Sequence, residues 1–341
     1  MDALSRPWFL ARFLSGAVAA VLCLVAVWVA FRVLRRWRVG ATSEGQLALE
    51  RRAELVATLV QGGLVLALAN VALTVLVADR SADAIRGAMC AWGVFESTAI
   101  GLWPVATSAL MALACALWLV LHRLDLRLQT PTLTRAKFLA LFAVAPLVWI
   151  DLGVFTAFAS QLDFDVVASC CSVSLDGGSV GRWGASGGGA SARLFYAALA
   201  LSIGAAAALS WTRRRPARAA ALASTLLSLA AALTMTPAVL LYVAPHAYET
   251  PHHLCPFCLL HADVGGIGWP LFAALFSGTA LGAGAGMVDL IGRRVGALAA
   301  AADLERSLGR WGALSWLLVS ALALAPIVRF AILSGGASLF P

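Results

Sequence analysis

Eight long apolar runs leave this chain few folds to choose from. They cover residues 13–33, 55–78, 101–121, 138–160, 194–211, 219–244, 266–290 and 311–333. A helix needs about 20 apolar residues to cross the hydrocarbon core of a bilayer. In that core no water can satisfy a loose backbone N–H or C=O, so each run is read as a helix that closes its own hydrogen bonds. The expected fold is an all-α polytopic membrane protein of about eight transmembrane helices, one integral membrane domain over residues 1–341, with the lipid bilayer as its first partner. Charged residues make up only 12% of the chain, against about 25% in a soluble domain. The first run exceeds the roughly 7–15 apolar residues of a signal peptide and ends in an Arg cluster, so it is read as a retained span.

The basic residues, all but Lys137 of them arginine, are sorted by side. Arg32, Arg35, Arg36, Arg38, Arg51, Arg52, Arg123, Arg127, Arg135, Lys137, Arg213, Arg214, Arg215, Arg218, Arg293, Arg294, Arg306 and Arg310 lie at one set of span ends, and they are 18 of the 25. The opposite set holds Arg6, Arg12, Arg80, Arg86, Arg182 and Arg193, while Arg329 lies inside the last run. Cytoplasmic loops collect Arg and Lys. The pattern thus predicts both termini on the outer face, and a bacterial inner membrane is the expected location. No soluble domain is present to carry a basic face, so nucleic acid is not an expected partner. No phosphate-binding loop of the nucleotide type occurs.

Seven cysteines divide in the same way. Cys23 and Cys115 fall inside spans, where a thiol usually serves as packing. Cys90, Cys170, Cys171, Cys255 and Cys258 all fall in outer segments, and the cytoplasmic segments have none. The outer face of a bacterial membrane is the oxidising compartment, which points to a disulfide or metal role. The densest group runs from His252 to His261, with two thiols and three imidazoles (His252, His253, Cys255, Cys258, His261). Cys255 and Cys258 form a C-x-x-C pair just before the seventh run. A helix N-terminus there would favour thiolate. The histidines add proton transfer or metal ligation. Three readings stay open for the group: redox chemistry, metal ligation and a structural disulfide. Leu259 follows the second cysteine, so covalent haem attachment through C-x-x-C-H is excluded. Cys170-Cys171 is a vicinal pair, suited to a labile disulfide or to a soft metal. With five outer cysteines, at least one has no partner among the other four.

The entrances to the third and seventh runs are alike. Cys90-Ala91-Trp92-Gly93-Val94-Phe95-Glu96 precedes Trp103-Pro104. Cys255-Pro256-Phe257-Cys258-Leu259-Leu260-His261 precedes Trp269-Pro270. The Cys-to-Pro separations are 14 and 15 residues. Two parallel four-helix repeats, 1–190 and 191–341, would explain the likeness. Gly93 then stands where Cys258 stands, and Glu96 where His261 stands. Asp151 lies in the fourth run and Arg329 in the eighth. A charge at that depth is a functional candidate by default, and a buried Asp151–Arg329 ion pair is the expected structural account.

A helix, an outer loop, C-x-x-C and a following helix resemble the quinone-linked membrane disulfide oxidoreductases: the disulfide-bond-formation membrane protein and the vitamin K epoxide reductase relatives. Cys255-Pro256-Phe257-Cys258-Leu259-Leu260-His261 carries the resemblance over about 15 residues, with His261-Ala262 in place of that family's Gln/Glu-Arg. The resemblance implies a four-helix core, Cys255 and Cys258 passing electrons to a quinone, and Cys170-Cys171 exchanging with a thiol protein on the outer face. Two rivals stand beside this enzymatic reading. One is a Cu, Hg or Zn binder or transporter using Cys170, Cys171, Cys255, Cys258 and the histidines. The other is a non-catalytic membrane component braced by disulfides.

Overall fold

The computed structural model describes residues 3–37, 43–128, 132–168, 188–251 and 253–340. Cys170, Cys171, His252 and most of the Gly/Ser-rich stretch 177–190 lie outside the described residues. Eight helical segments are long and apolar enough to cross a membrane, and each overlaps one of the eight apolar runs. Among the described residues the only β pairing is an isolated bridge between Arg86 and Val167. The protein is an all-α polytopic membrane protein. Its contacts divide it into two compact units, Met1–Ala168 and Ser169–Pro341.

In the first unit, α1 (Pro7–Arg36), α2 (Glu44–Asp79), a short α3 (Ala91–Glu96), α4 (Trp103–Asp125) and α5 (Thr134–Gln161) follow one another. α1 packs on α2 and α5, and α4 closes the ring by packing on the same two helices. Pro7 starts α1, at a position whose N–H has no helical acceptor to lose. Ser43 caps α2 by accepting from the Gln46 N–H at 3.3 Å. Small side chains on α1 (Ala19, Ala20, Cys23, Ala26, Ala30) pack in one core with Val60 and Leu64 of α2, Met111, Cys115 and Trp118 of α4, and Phe138, Leu141 and Val148 of α5. Lipid is as apolar as these side chains, so close backbone approach is what holds such helices together. Cys23 and Cys115 are buried in this core.

The second unit contains α6 (Gly188–Arg214), α7 (Arg218–Ala238), α8 (Ala244–Tyr248), α9 (Gly268–Arg294) and α10 (Leu298–Leu333). α6 touches α7 and α10, and α9 touches the same pair, giving another four-membered ring. A π turn, Val239–Val243, joins α7 to α8, so that Arg218–Tyr248 forms one apolar span. Pro237 and Pro245 bracket the π turn and withhold two N–H donors, a known cause of irregularity within a helix. Trp316 of α10 lies fully buried over Gly278 of α9, where an added Cβ would stand 2.9 Å from its indole. Its Nε1–H donates to Ser228 Oγ at 3.0 Å.

The buried charges correct one expectation. α1 begins six residues before the apolar run does, which draws Arg12 inside the bundle, where it is fully buried. Arg12 Nη2 donates to Asp151 Oδ2 at 2.5 Å, and its Nε donates to Thr74 Oγ1 at 2.8 Å. Ser108 Oγ donates to the other Asp151 oxygen at 2.5 Å. Asp151 thus pairs with Arg12 in the first unit. Arg329, the partner expected for it, pairs at 3.4 Å with Glu249 on an exposed face of the second unit. The expectation failed because Arg12 sits outside the hydrophobic window and so was counted with the outer loops. A second buried ion pair, Lys137 Nζ to Asp125 Oδ2 at 2.5 Å, lies at the other end of α4 and α5.

Candidate functional site

The C-x-x-C segment of the second unit is a built turn. Pro256 takes φ −71° and ψ −25°, values its ring allows, and opens a single 3₁₀ turn, Phe257–Leu260. That winding brings the Sγ atoms of Cys255 and Cys258 within 4.8 Å of each other. Both are buried, at 0% and 5% exposure. His261 ends the turn in extended geometry, its N–H donating to the Cys258 carbonyl at 3.0 Å. A second 3₁₀ turn, Ala262–Val264, leads to Gly265 and Gly266 at φ +71° and +61°, a region only glycine enters freely. α9 then starts at Gly268, whose missing Cβ lets its backbone approach that of Leu259: an added Cβ would lie 2.9 Å from the Leu259 carbonyl.

The thiols were expected at a helix N-terminus. Instead nine residues separate Cys258 from the first residue of α9. Cys258 sits on the 3₁₀ turn against which that helix end rests, and Cys255 comes just before it. A four-residue turn has little macrodipole of its own, because the aligned peptides are few.

Tyr248, the last residue of α8, ties the turn down. Its hydroxyl shares one proton between the Cys258 carbonyl at 2.9 Å and the Asp263 carboxylate at 3.1 and 3.2 Å. Asp263 Oδ1 also accepts from the Val264 N–H at 2.9 Å. The His253 ring stacks on Tyr248, centroids 4.0 Å apart and planes 18° off parallel. Glu249 directly after Tyr248 has φ +55°, the one positive value among described residues other than glycine, and its N–H donates to the Pro245 carbonyl. This left-handed cap turns the chain from the α7–α8 span into the thiol segment. One proton-bearing group, one carboxylate and one imidazole therefore surround the backbone that carries Cys258. Sequence reading passed over Tyr248, since a lone tyrosine near a span end usually belongs to the interfacial belt. The signal that could have found it is its position between two X-Pro and C-x-x-C irregularities.

Of the other predicted positions, Cys90 is fully buried at the N-cap of α3 in the first unit, with φ −161° and ψ 178°. Gly93 stands over Ala88, where an added Cβ would come within 3.0 Å. Glu96 ends α3 and is exposed. Gly101 has φ +57°, and α4 follows with Pro104 in its first turn. A short helical turn, a left-handed glycine and a Trp-Pro helix start thus occur in each unit, at Cys90 and at Cys255. Comparison with protein-family models, with curated proteins and with solved structures finds no match for this chain.

Proposed function

We propose that this membrane protein carries out thiol–disulfide exchange on its outer face, with Cys255 and Cys258 as the redox pair. The observation that carries the reading is the pair of thiols within 4.8 Å on one anchored turn. A disulfide needs its sulfurs at about 2.0 Å, and the two thiols start within 4.8 Å of each other. In the oxidised form a substrate thiolate attacks one sulfur and forms a mixed disulfide; its second thiol then releases the Cys255–Cys258 dithiol and leaves as a disulfide. A lipid-soluble quinone, as oxidising co-substrate, takes two electrons and two protons from the dithiol and departs as quinol. Cys170 and Cys171 are the proposed relay to a periplasmic thiol protein. The placement in a bacterial inner membrane with both termini outside rests on the arginine distribution. The doubled motif at Cys90 and Cys255 supports descent of the two units from one four-helix repeat.

Thiol trapping tests this. A maleimide mass tag applied to membranes, with and without prior dithiothreitol, should show Cys255 and Cys258 shielded before reduction and labelled after it. Reoxidation should require quinone. If all outer thiols label freely without reductant, the redox reading fails.

Metal ligation is the second reading, favoured by the same paired thiols, with His253 and His261 close to them in the sequence. Two thiolates and one or two imidazoles form a donor set that suits Zn or Cu(I). Stoichiometric bound metal, lowered by both Cys258→Ser and His261→Ala, would select it.

A further inference from the structure

The arginines at one end of the first unit do more than mark a side of the membrane: four of them line one cavity. Arg32, Arg35 and Arg36 from the last turns of α1, with Arg52 from α2, surround a hollow of about 380 Å³ completed by Ser43, Gly45, Gln46, Ala48 and Leu49. Among the described residues no carboxylate lines it. Glu44 and Glu50 are neighbours on α2 outside the lining, and Glu50 accepts from Gln46 Nε2 at 2.9 Å.

Two of the guanidinium groups are held in place from below. Arg32 lies 3.7 Å over the Trp28 ring and Arg35 lies 4.0 Å over Phe31, stacking that costs little entropy on binding because the side chains are already ordered. The N-terminal turn of α2, capped by Ser43, borders the same space through Gly45 and Gln46, and the positive end of a helix favours an anion. Gly45 leaves that backbone bare: an added Cβ there would meet nothing within 4 Å. Four like charges around one hollow repel one another unless an anion joins them. The hollow lies where α1 leaves its apolar span, and Leu49 gives it one apolar wall.

We propose that this cavity binds a phosphate group: the guanidiniums grip its oxygens in bidentate fashion and the α2 amides take the remainder. Two sources share that chemistry, the headgroup of an anionic phospholipid and a free phosphate, and basic hollows at the cytoplasmic end of membrane helices suit the first.

Full-length protein in phosphatidylcholine nanodiscs, with and without a minority of phosphatidylglycerol, tests the proposal. Retained phosphatidylglycerol is counted by native mass spectrometry, and inorganic phosphate is added as competitor against chloride of equal ionic strength. Wild-type protein should retain phosphatidylglycerol selectively. Arg35→Gln should weaken it about fivefold and Arg35→Gln with Arg52→Gln roughly 25-fold, taking about 1 kcal/mol per arginine near a membrane surface. Both residues are exposed, so folding should survive, and unchanged circular dichroism is the check. Arg306→Gln, which removes an arginine paired with Asp303 elsewhere, is the control and should change nothing. Displacement by inorganic phosphate would support free phosphate as the ligand, and selective retention without displacement would support the lipid. Equal retention of both lipids with no phosphate binding, or a double variant that binds as wild type does, would overturn the proposal.

Discussion

Removing the carboxylate of Asp151 should destabilise the first unit far more than removing any of its neutral side-chain hydrogen bonds. Asp151 is 1% exposed and Arg12 fully buried. In Asp151→Leu the guanidinium remains, still bonded to Thr74 but without a counter-ion. Two contacts to a charged acceptor are lost, from Arg12 and from Ser108, each about 1.5–3 kcal/mol. Direct loss of one partner of a buried pair costs about 3–5 kcal/mol, which agrees. A neutral hydrogen bond between membrane helices averages only about 0.6 kcal/mol. Ser108→Ala should therefore cost several-fold less, and the charge term decides the outcome. The double change Arg12→Met with Asp151→Leu removes both charges and should be more stable than Asp151→Leu alone. The assay is unfolding of purified protein by denaturing detergent, followed by circular dichroism, on the four proteins of the cycle. If Asp151→Leu costs under about 1 kcal/mol and the two single changes simply add, the two charges do not support each other in the bundle and the reasoning fails.

Three further outcomes follow from the geometry. Gly278→Ala should destabilise the second unit by about 1–3 kcal/mol through overpacking against Trp316, and Trp316→Phe in the same background should recover part of the loss; a melting series of the three variants measures it. Tyr248→Phe removes the hydroxyl that bridges the Cys258 carbonyl and Asp263, so the thiol turn should loosen by about 1 kcal/mol, seen as faster alkylation of reduced Cys258 by iodoacetamide; an unchanged rate would assign Tyr248 a packing role only. Lys137 is the chain's one lysine and is 6% exposed. An acetylating reagent should therefore leave it unmodified in folded protein and modify it after denaturation, which peptide mass spectrometry reads directly.

The spans were legible in the sequence because hydrocarbon imposes a crude rule: about 20 apolar residues, regardless of their order. Arg12 was not legible by the same rule. It lies just beyond the window 13–33, and only the true start of α1 at Pro7 shows that it turns inward. Its partners Thr74, Ser108 and Asp151 lie in three different apolar runs, and nothing local in the sequence links them. The closeness of Cys255 and Cys258 could be expected from their spacing. The 3₁₀ winding could not, since Pro256 is compatible with the first turn of an α-helix too. Tyr248 was hidden by distance along the chain: nine residues, with a left-handed cap at Glu249 among them, separate it from the carbonyl it holds.

The Arg12–Asp151 link also sets an order of assembly. Its ends are 139 residues apart, so α1 is synthesised long before its counter-ion exists. Until α5 arrives, an arginine in the second turn of α1 is best placed by stretching its side chain to the nearby interface. α1 is then free to slide along its own axis, and its final depth is set by the last helix of its bundle. The ion pair works as a latch that closes only when the ring of four helices is complete.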